Sequence, residues 1–291
     1  MTKKIIFKGA GTALITPMKN GKIDYDALRT LIHLQIDEGI DALIMGGTTG
    51  ESATLKPSER EQLYSFSKEE IGGRVKLLLG VGSNDTSDVL ARCRAANRVG
   101  CDGVLAVTPY YNRGTRDGVI EHYRRVADAS DAPVMLYNVP SRTGVNLSID
   151  VLETLAREEN IVAIKEAGDS LDRLCDIAAL GDSLALYAGN DSQIFPTLTL
   201  GGLGVVSVLS NLMPRRVSVL CRECLEGDIE RARGEQLSLL GIIKALFTET
   251  NPAPIKYAMS RLGLCENELR LPLSPASEKT RAAIDEALSI L

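Results

Sequence analysis

The chain holds 291 residues, of which 44% are hydrophobic and 24% charged, enough apolar material for a large core and too much for a disordered chain. Its 33 basic and 38 acidic residues give a net charge of −5, which argues against a phosphate-gripping basic surface and hence against nucleic acid as the partner. No apolar run reaches the roughly 18 residues of a membrane span, and the start Met1-Thr2-Lys3-Lys4-Ile5-Ile6-Phe7-Lys8 is unlike a signal peptide, so the expected compartment is the cytoplasm, away from any membrane.

Runs rich in Val, Ile and Leu predict strands at Thr12–Thr16, Ala42–Gly46, Lys76–Val81, Gly103–Thr108, Val134–Asn138, Ile161–Lys165, Leu184–Ala188 and Gly204–Val208. Helix-start signals stand between them. Asp24 precedes the first amphipathic segment, Pro57 suits a first helical turn, Asn84-Asp85 opens a third, and Ser148 and Ser170 are candidate N-caps. Eight such units predict a closed (β/α)8 TIM barrel, with an open doubly wound sheet as the competing architecture. The latter would carry a glycine-rich dinucleotide turn after its first strand, where this chain has Thr16-Pro17-Met18. Beyond about Glu226 the pattern turns wholly helical, over Ile229–Thr248, Pro254–Leu262 and Pro275–Leu291. The expected organisation is therefore a catalytic barrel over 1–226 and a helical extension over 227–291.

The six cysteines (Cys93, Cys101, Cys175, Cys221, Cys224 and Cys265) read as reduced thiols rather than a disulfide framework. Cys221 and Cys224 have CxxC spacing but lie in a helical stretch with no second such pair, so a zinc or redox site is not expected. With only His33 and His122 available, a histidine metal site or a Ser-His-Asp triad is short of parts.

In a TIM barrel the residues that follow each strand share one pocket. Lys165 ends the strongly apolar Ile161–Ile164 run, where partial desolvation would lower its pKa and free an amine to attack a ketone. The competing reading is a lysine that reaches water or pairs with Glu166. Tyr137 ends the neighbouring strand and suits proton transfer at the carbon under attack, or else it is a core tyrosine satisfied by backbone. Gly46-Gly47-Thr48-Thr49-Gly50 offers backbone amides and hydroxyls to a carboxylate, or is simply a tight turn, with Glu51 holding the loop. Arg142 suits a bidentate carboxylate contact, against the commoner solvated arginine. Tyr110 and Tyr111 are adjacent, so one is free to serve the pocket and the other an interface. Together these residues fit imine chemistry on a keto acid, without a metal or a cofactor.

The motifs Gly11–Pro17, Gly46–Ser52, Thr108–Asn112, Tyr137–Gly144, Ile164–Glu166, Ala188–Asp191 and Asn251–Lys256, in that order and spacing, resemble those of the dihydrodipicolinate synthase / N-acetylneuraminate lyase superfamily across essentially the whole chain. The resemblance implies that Lys165 forms a Schiff base with pyruvate and that Tyr137 is the proton donor and acceptor. By the same resemblance Thr48 and Tyr111 complete a proton relay, with Tyr111 reaching a neighbouring subunit's site in a dimer doubled into a homotetramer. Thr49 then binds the pyruvate carboxylate, Val206 lies beside pyruvate, Arg142 binds the aldehyde's carboxylate and Gly189 lines the pocket. The implied reaction joins pyruvate to L-aspartate-4-semialdehyde, giving 4-hydroxy-tetrahydrodipicolinate on the way to diaminopimelate and lysine. Ser52, Ala53, Asn84 and Tyr110 match the superfamily's lysine-inhibitor site, whereas Asp88, Pro57 and Arg60 depart from sensitive members. Weak or absent lysine inhibition is therefore expected, and strong inhibition by sub-millimolar lysine would contradict it.

The alternatives are a pyruvate-dependent aldolase of the same superfamily acting on a sugar acid, hydroxy-oxoglutarate or an N-acetylneuraminate-type substrate, a non-catalytic keto-acid-binding relative, and a phosphate-binding barrel synthase. The second has no need of an imine-forming lysine. The third would need a phosphate loop, for which Gly201-Gly202-Leu203-Gly204 stands before the last strand rather than after it.

Overall fold

The computed structural model describes residues 3–290, so Met1, Thr2 and Leu291 lie outside the described residues. Eight parallel strands close into a barrel: β1 Gly9–Ala13, β2 Ala42–Met45, β3 Lys76–Gly80, β4 Gly103–Val107, β5 Val134–Asn138, β6 Ile161–Glu166, β7 Ala185–Ala188 and β8 Gly204–Ser207. Closure is made by β1, which pairs with β2 on one side and with β8 on the other, Gly9 opposite Gly204 and Gly11 opposite Val206. That ring excludes the open sheet.

Seven strands fall within two residues of their expected ends. The first does not: β1 runs Gly9–Ala13 rather than Thr12–Thr16. Two glycines hide it from a reading based on apolar side chains, and both are required locally: Gly9 has φ +102° and a Cβ there would stand 2.2 Å from Asp41 Oδ2. A Cβ on Gly11 would stand 2.8 Å from Phe7 Cζ and 3.0 Å from Ile44 Cδ1. Phe7 plugs the base of the barrel against Tyr187, ring centroids 4.7 Å apart, and accepts the Tyr187 hydroxyl proton on its carbonyl.

Because side chains alternate along a strand, each strand divides between two cores. Ala42, Ile44, Leu78, Leu105, Met135, Tyr137, Ala163, Tyr187 and Val206 fill the barrel interior. The intervening residues, among them Leu43, Leu77, Leu79, Val104, Leu136 and Ile164, meet the surrounding helices.

The helices begin close to their sequence signals. Asp24 caps Tyr25–Asp37 by accepting from Ala27 N at 3.0 Å, Pro57 opens Pro57–Ile71, and Asp85 caps Thr86–Val99 through Ser87 N at 2.9 Å. Ser170 caps Leu171–Ala178, while Ser148 takes the N-cap position of Ile149–Leu155 with its hydroxyl turned to Asp150 instead. The last helices, Ile229–Leu246, Ala253–Arg261 and Glu278–Ser289, share one core with the barrel's outer helices, including Pro214–Glu226. Among the described residues no helix is long and apolar enough to cross a membrane.

Candidate active site

Lys165 has the strand parity of Ala163 and therefore points into the barrel near the C-terminal end of β6, with 4% of its surface exposed. Its Nζ lies 4.4 Å from the centroid of the Tyr137 ring, the residue opposite it in register on β5. Burial disfavours the ammonium and takes its pKa down to about 7; the Asp191 carboxylate opposes that fall and the Arg142 charge adds to it. A large share of the amine is thus neutral and nucleophilic near neutrality.

The competing pair with Glu166 is not formed. Glu166 has the opposite parity and accepts from Asn138 Nδ2 (2.9 Å), Gly168 N (2.7 Å) and Arg173 Nε (2.9 Å). This outward clamp ties the end of β5 to that of β6 and so fixes Tyr137 beside Lys165.

Tyr137 is also buried. Burial raises its phenol, while the Arg142 charge and the neighbouring Thr48 side chain oppose the rise. Tyrosines satisfied by backbone do occur here, but elsewhere: the Tyr64 hydroxyl donates to Gly80 O at 2.6 Å.

The turn after β2 begins at Gly46, whose φ of +63° is the left-handed region that glycine tolerates best. No acceptor among the described residues takes the amides of Thr48 and Thr49. Thr49 is buried, and its Oγ1 accepts from Asn251 Nδ2 at 2.9 Å. Glu51 is structural, as its position suggested: it pairs with fully buried Lys256 and accepts from Arg270 N at 3.0 Å. The helical extension thus fastens the turn from behind.

A cavity of about 280 Å³ opens above these strand ends, lined among others by Thr48, Tyr110, Arg142 and Asn251. Arg142 is anchored, its Nη2 donating to Asn251 O at 2.8 Å. Val206 is wholly buried in the barrel interior with Tyr137. Gly189 sits where β6 and β7 end, and a Cβ there would stand 2.6 Å from Ala167 Cβ and 2.7 Å from Glu166 O. Tyr110 turns to the cavity, whereas Tyr111 is 89% exposed with φ +72° and stands apart from the other candidates within the single chain. Arg60 is buried, donating from Nη2 to Ser52 O at 2.7 Å. Cys221 and Cys224 are buried on their helix, and burial raises both thiols, the opposite of what a reactive or metal-binding thiol needs.

The model of the dihydrodipicolinate synthetase family matches residues 6–291. The chain belongs to that family. It is 45% identical to the 4-hydroxy-tetrahydrodipicolinate synthase of Alkaliphilus oremlandii over 277 residues, covering 95% of this chain and 96% of the relative. Among solved structures, the dihydrodipicolinate synthase of Thermotoga maritima superposes with a TM-score of 0.96 at 40% identity, covering 98% of this chain and 99% of that one. A monomeric dihydrodipicolinate synthase variant superposes with a TM-score of 0.95, also at 40% identity, covering 98% and 96%. In this family member Asn251 is a further contact of the site, bonded to Thr49 and Arg142. It appears in the sequence only as part of an Asn-Pro motif, and its bond to Thr49 spans 202 residues, beyond any local signal.

Proposed function

We propose that this chain is a Schiff-base lyase that condenses pyruvate with L-aspartate-4-semialdehyde to form 4-hydroxy-tetrahydrodipicolinate, in the biosynthesis of diaminopimelate and lysine. The observation that carries this reading is the buried Lys165 amine beside the Tyr137 ring at the ends of adjacent strands. Neutral Lys165 attacks the pyruvate ketone, and loss of water leaves an imine. Loss of a methyl proton gives the enamine, whose carbon attacks the aldehyde. The amine of the second substrate then displaces Lys165 and closes the ring.

Tyr137 gives and takes the protons of imine formation, with the Thr48 side chain as its neighbour. Thr49 and the free amides of its turn hold the pyruvate carboxylate, with Val206 and Gly189 shaping the space around it. Arg142 receives the carboxylate of the semialdehyde at the cavity mouth. Tyr111 completes the proton relay in a neighbouring subunit, within a tight dimer doubled into a homotetramer; its exposure supports that reading.

Borohydride reduction in the presence of pyruvate tests the chemistry. A stable adduct on Lys165 is expected, absent from Lys165→Ala. Failure to trap pyruvate on the unaltered chain would refute imine catalysis.

A further inference from the structure

Asn251 belongs to the helical extension, in the segment between Ile229–Leu246 and Ala253–Arg261, yet it touches both carboxylate anchors of the barrel. Its side-chain Nδ2 donates to Thr49 Oγ1 at 2.9 Å, and its backbone oxygen accepts from Arg142 Nη2 at 2.8 Å. It is 6% exposed, lines the cavity and is followed by Pro252, which opens the next helix. A threonine hydroxyl has one proton to give. Where that oxygen accepts from an amide, the proton is turned elsewhere and is free for a ligand.

We propose that Asn251 is a positioning residue: its amide commits the Thr49 proton to the keto-acid carboxylate, while its carbonyl fixes the Arg142 guanidinium for the carboxylate of the aldehyde. One residue outside the barrel thereby aligns two acidic substrates against each other. The inference rests on the roles given to Thr49 and Arg142 above. It adds a direction to the hydrogen bond, and that direction has chemical consequences. A carboxylate at this position can only accept. Asn251→Asp would therefore draw the Thr49 proton to itself and put a negative charge beside the pyruvate carboxylate. Asn251→Ala would only release the hydroxyl.

The test uses the full chain with Asn251→Asp and Asn251→Ala. It reads the pyruvate concentration that half-saturates the borohydride-trapped adduct on Lys165, with a melting curve for each variant. Asp should raise that concentration about tenfold or more and Ala less, although Asp is the closer match in shape. In a Thr49→Val background the two variants should differ little, because the oxygen they act through is gone. Alanine keeps the backbone carbonyl, so at saturating pyruvate the semialdehyde KM of Asn251→Ala should stay within about threefold of the parent.

A merely structural asparagine gives the reverse order, Asp milder than Ala, and a difference that persists without Thr49. That result overturns the proposal. So does an equal loss for both substrates in Asn251→Ala, or no change in either variant. Absence of any adduct on the unaltered chain would instead sink the imine reading, and this inference with it.

Discussion

Lys165 is costly to the fold and suited to the proposed reaction for one reason, its burial. In the folded chain its pKa lies at about 7, below the 10.5 of a free lysine. Between those values the unfolded chain binds the extra proton, so stability rises with pH across that window and the penalty is fully present below it. Lys165→Met, which has no proton to lose, should melt higher than the parent at pH 7, with the difference shrinking toward pH 10. The same shift governs reactivity. The initial rate of pyruvate trapping should fall about tenfold per pH unit below 7 and level off above it. A rate still climbing toward pH 10 would mean an ordinary, solvated lysine. Much of this was legible in the sequence, because a lysine closing an apolar strand has few places to go. The sequence could not decide between a free amine and a pair with Glu166. Strand parity decides it, turning Glu166 outward to Asn138, Gly168 and Arg173.

At the scale of the element, seven strands were readable from their apolar runs. The first was displaced because Gly9 and Gly11 carry no side chain to signal it, and space for Phe7 and Ile44 explains Gly11. The turn after β2 was readable as a candidate carboxylate cradle, but its support was not. Glu51 is held by Lys256 and by the backbone of Arg270, both far along the chain. With both side chains of that pair fully buried, removing one partner leaves an uncompensated charge. Lys256→Met should destabilise the protein by about 3–5 kcal/mol, a fall of roughly 10 °C in Tm. Glu51→Gln combined with it should recover part of that loss. A thermal melt unchanged by Lys256→Met would show that the pair does not hold the turn.

At the scale of the whole molecule, the barrel and its extension meet at the site through Asn251, Lys256 and Arg270. The periodicity of either part says nothing of that contact. Tyr111 points the other way: it is 89% exposed in one chain, so its part in the proposed relay requires a neighbour. Mixing Lys165→Ala with Tyr111→Ala chains, each nearly inactive alone, should restore turnover. A mixed dimer holds one site with an intact lysine and a tyrosine supplied from across the interface. No recovery, in mixtures shown to exchange subunits, would confine Tyr111 to its own chain or remove it from the relay.

The most direct measurement is turnover of pyruvate with L-aspartate-4-semialdehyde, coupled to a dihydrodipicolinate reductase and followed as nicotinamide oxidation. Robust turnover by the unaltered chain, abolished in Lys165→Ala, is the expected result. No turnover with this aldehyde, while pyruvate is still trapped on Lys165, would contradict the proposed reaction and move the chemistry to another acceptor.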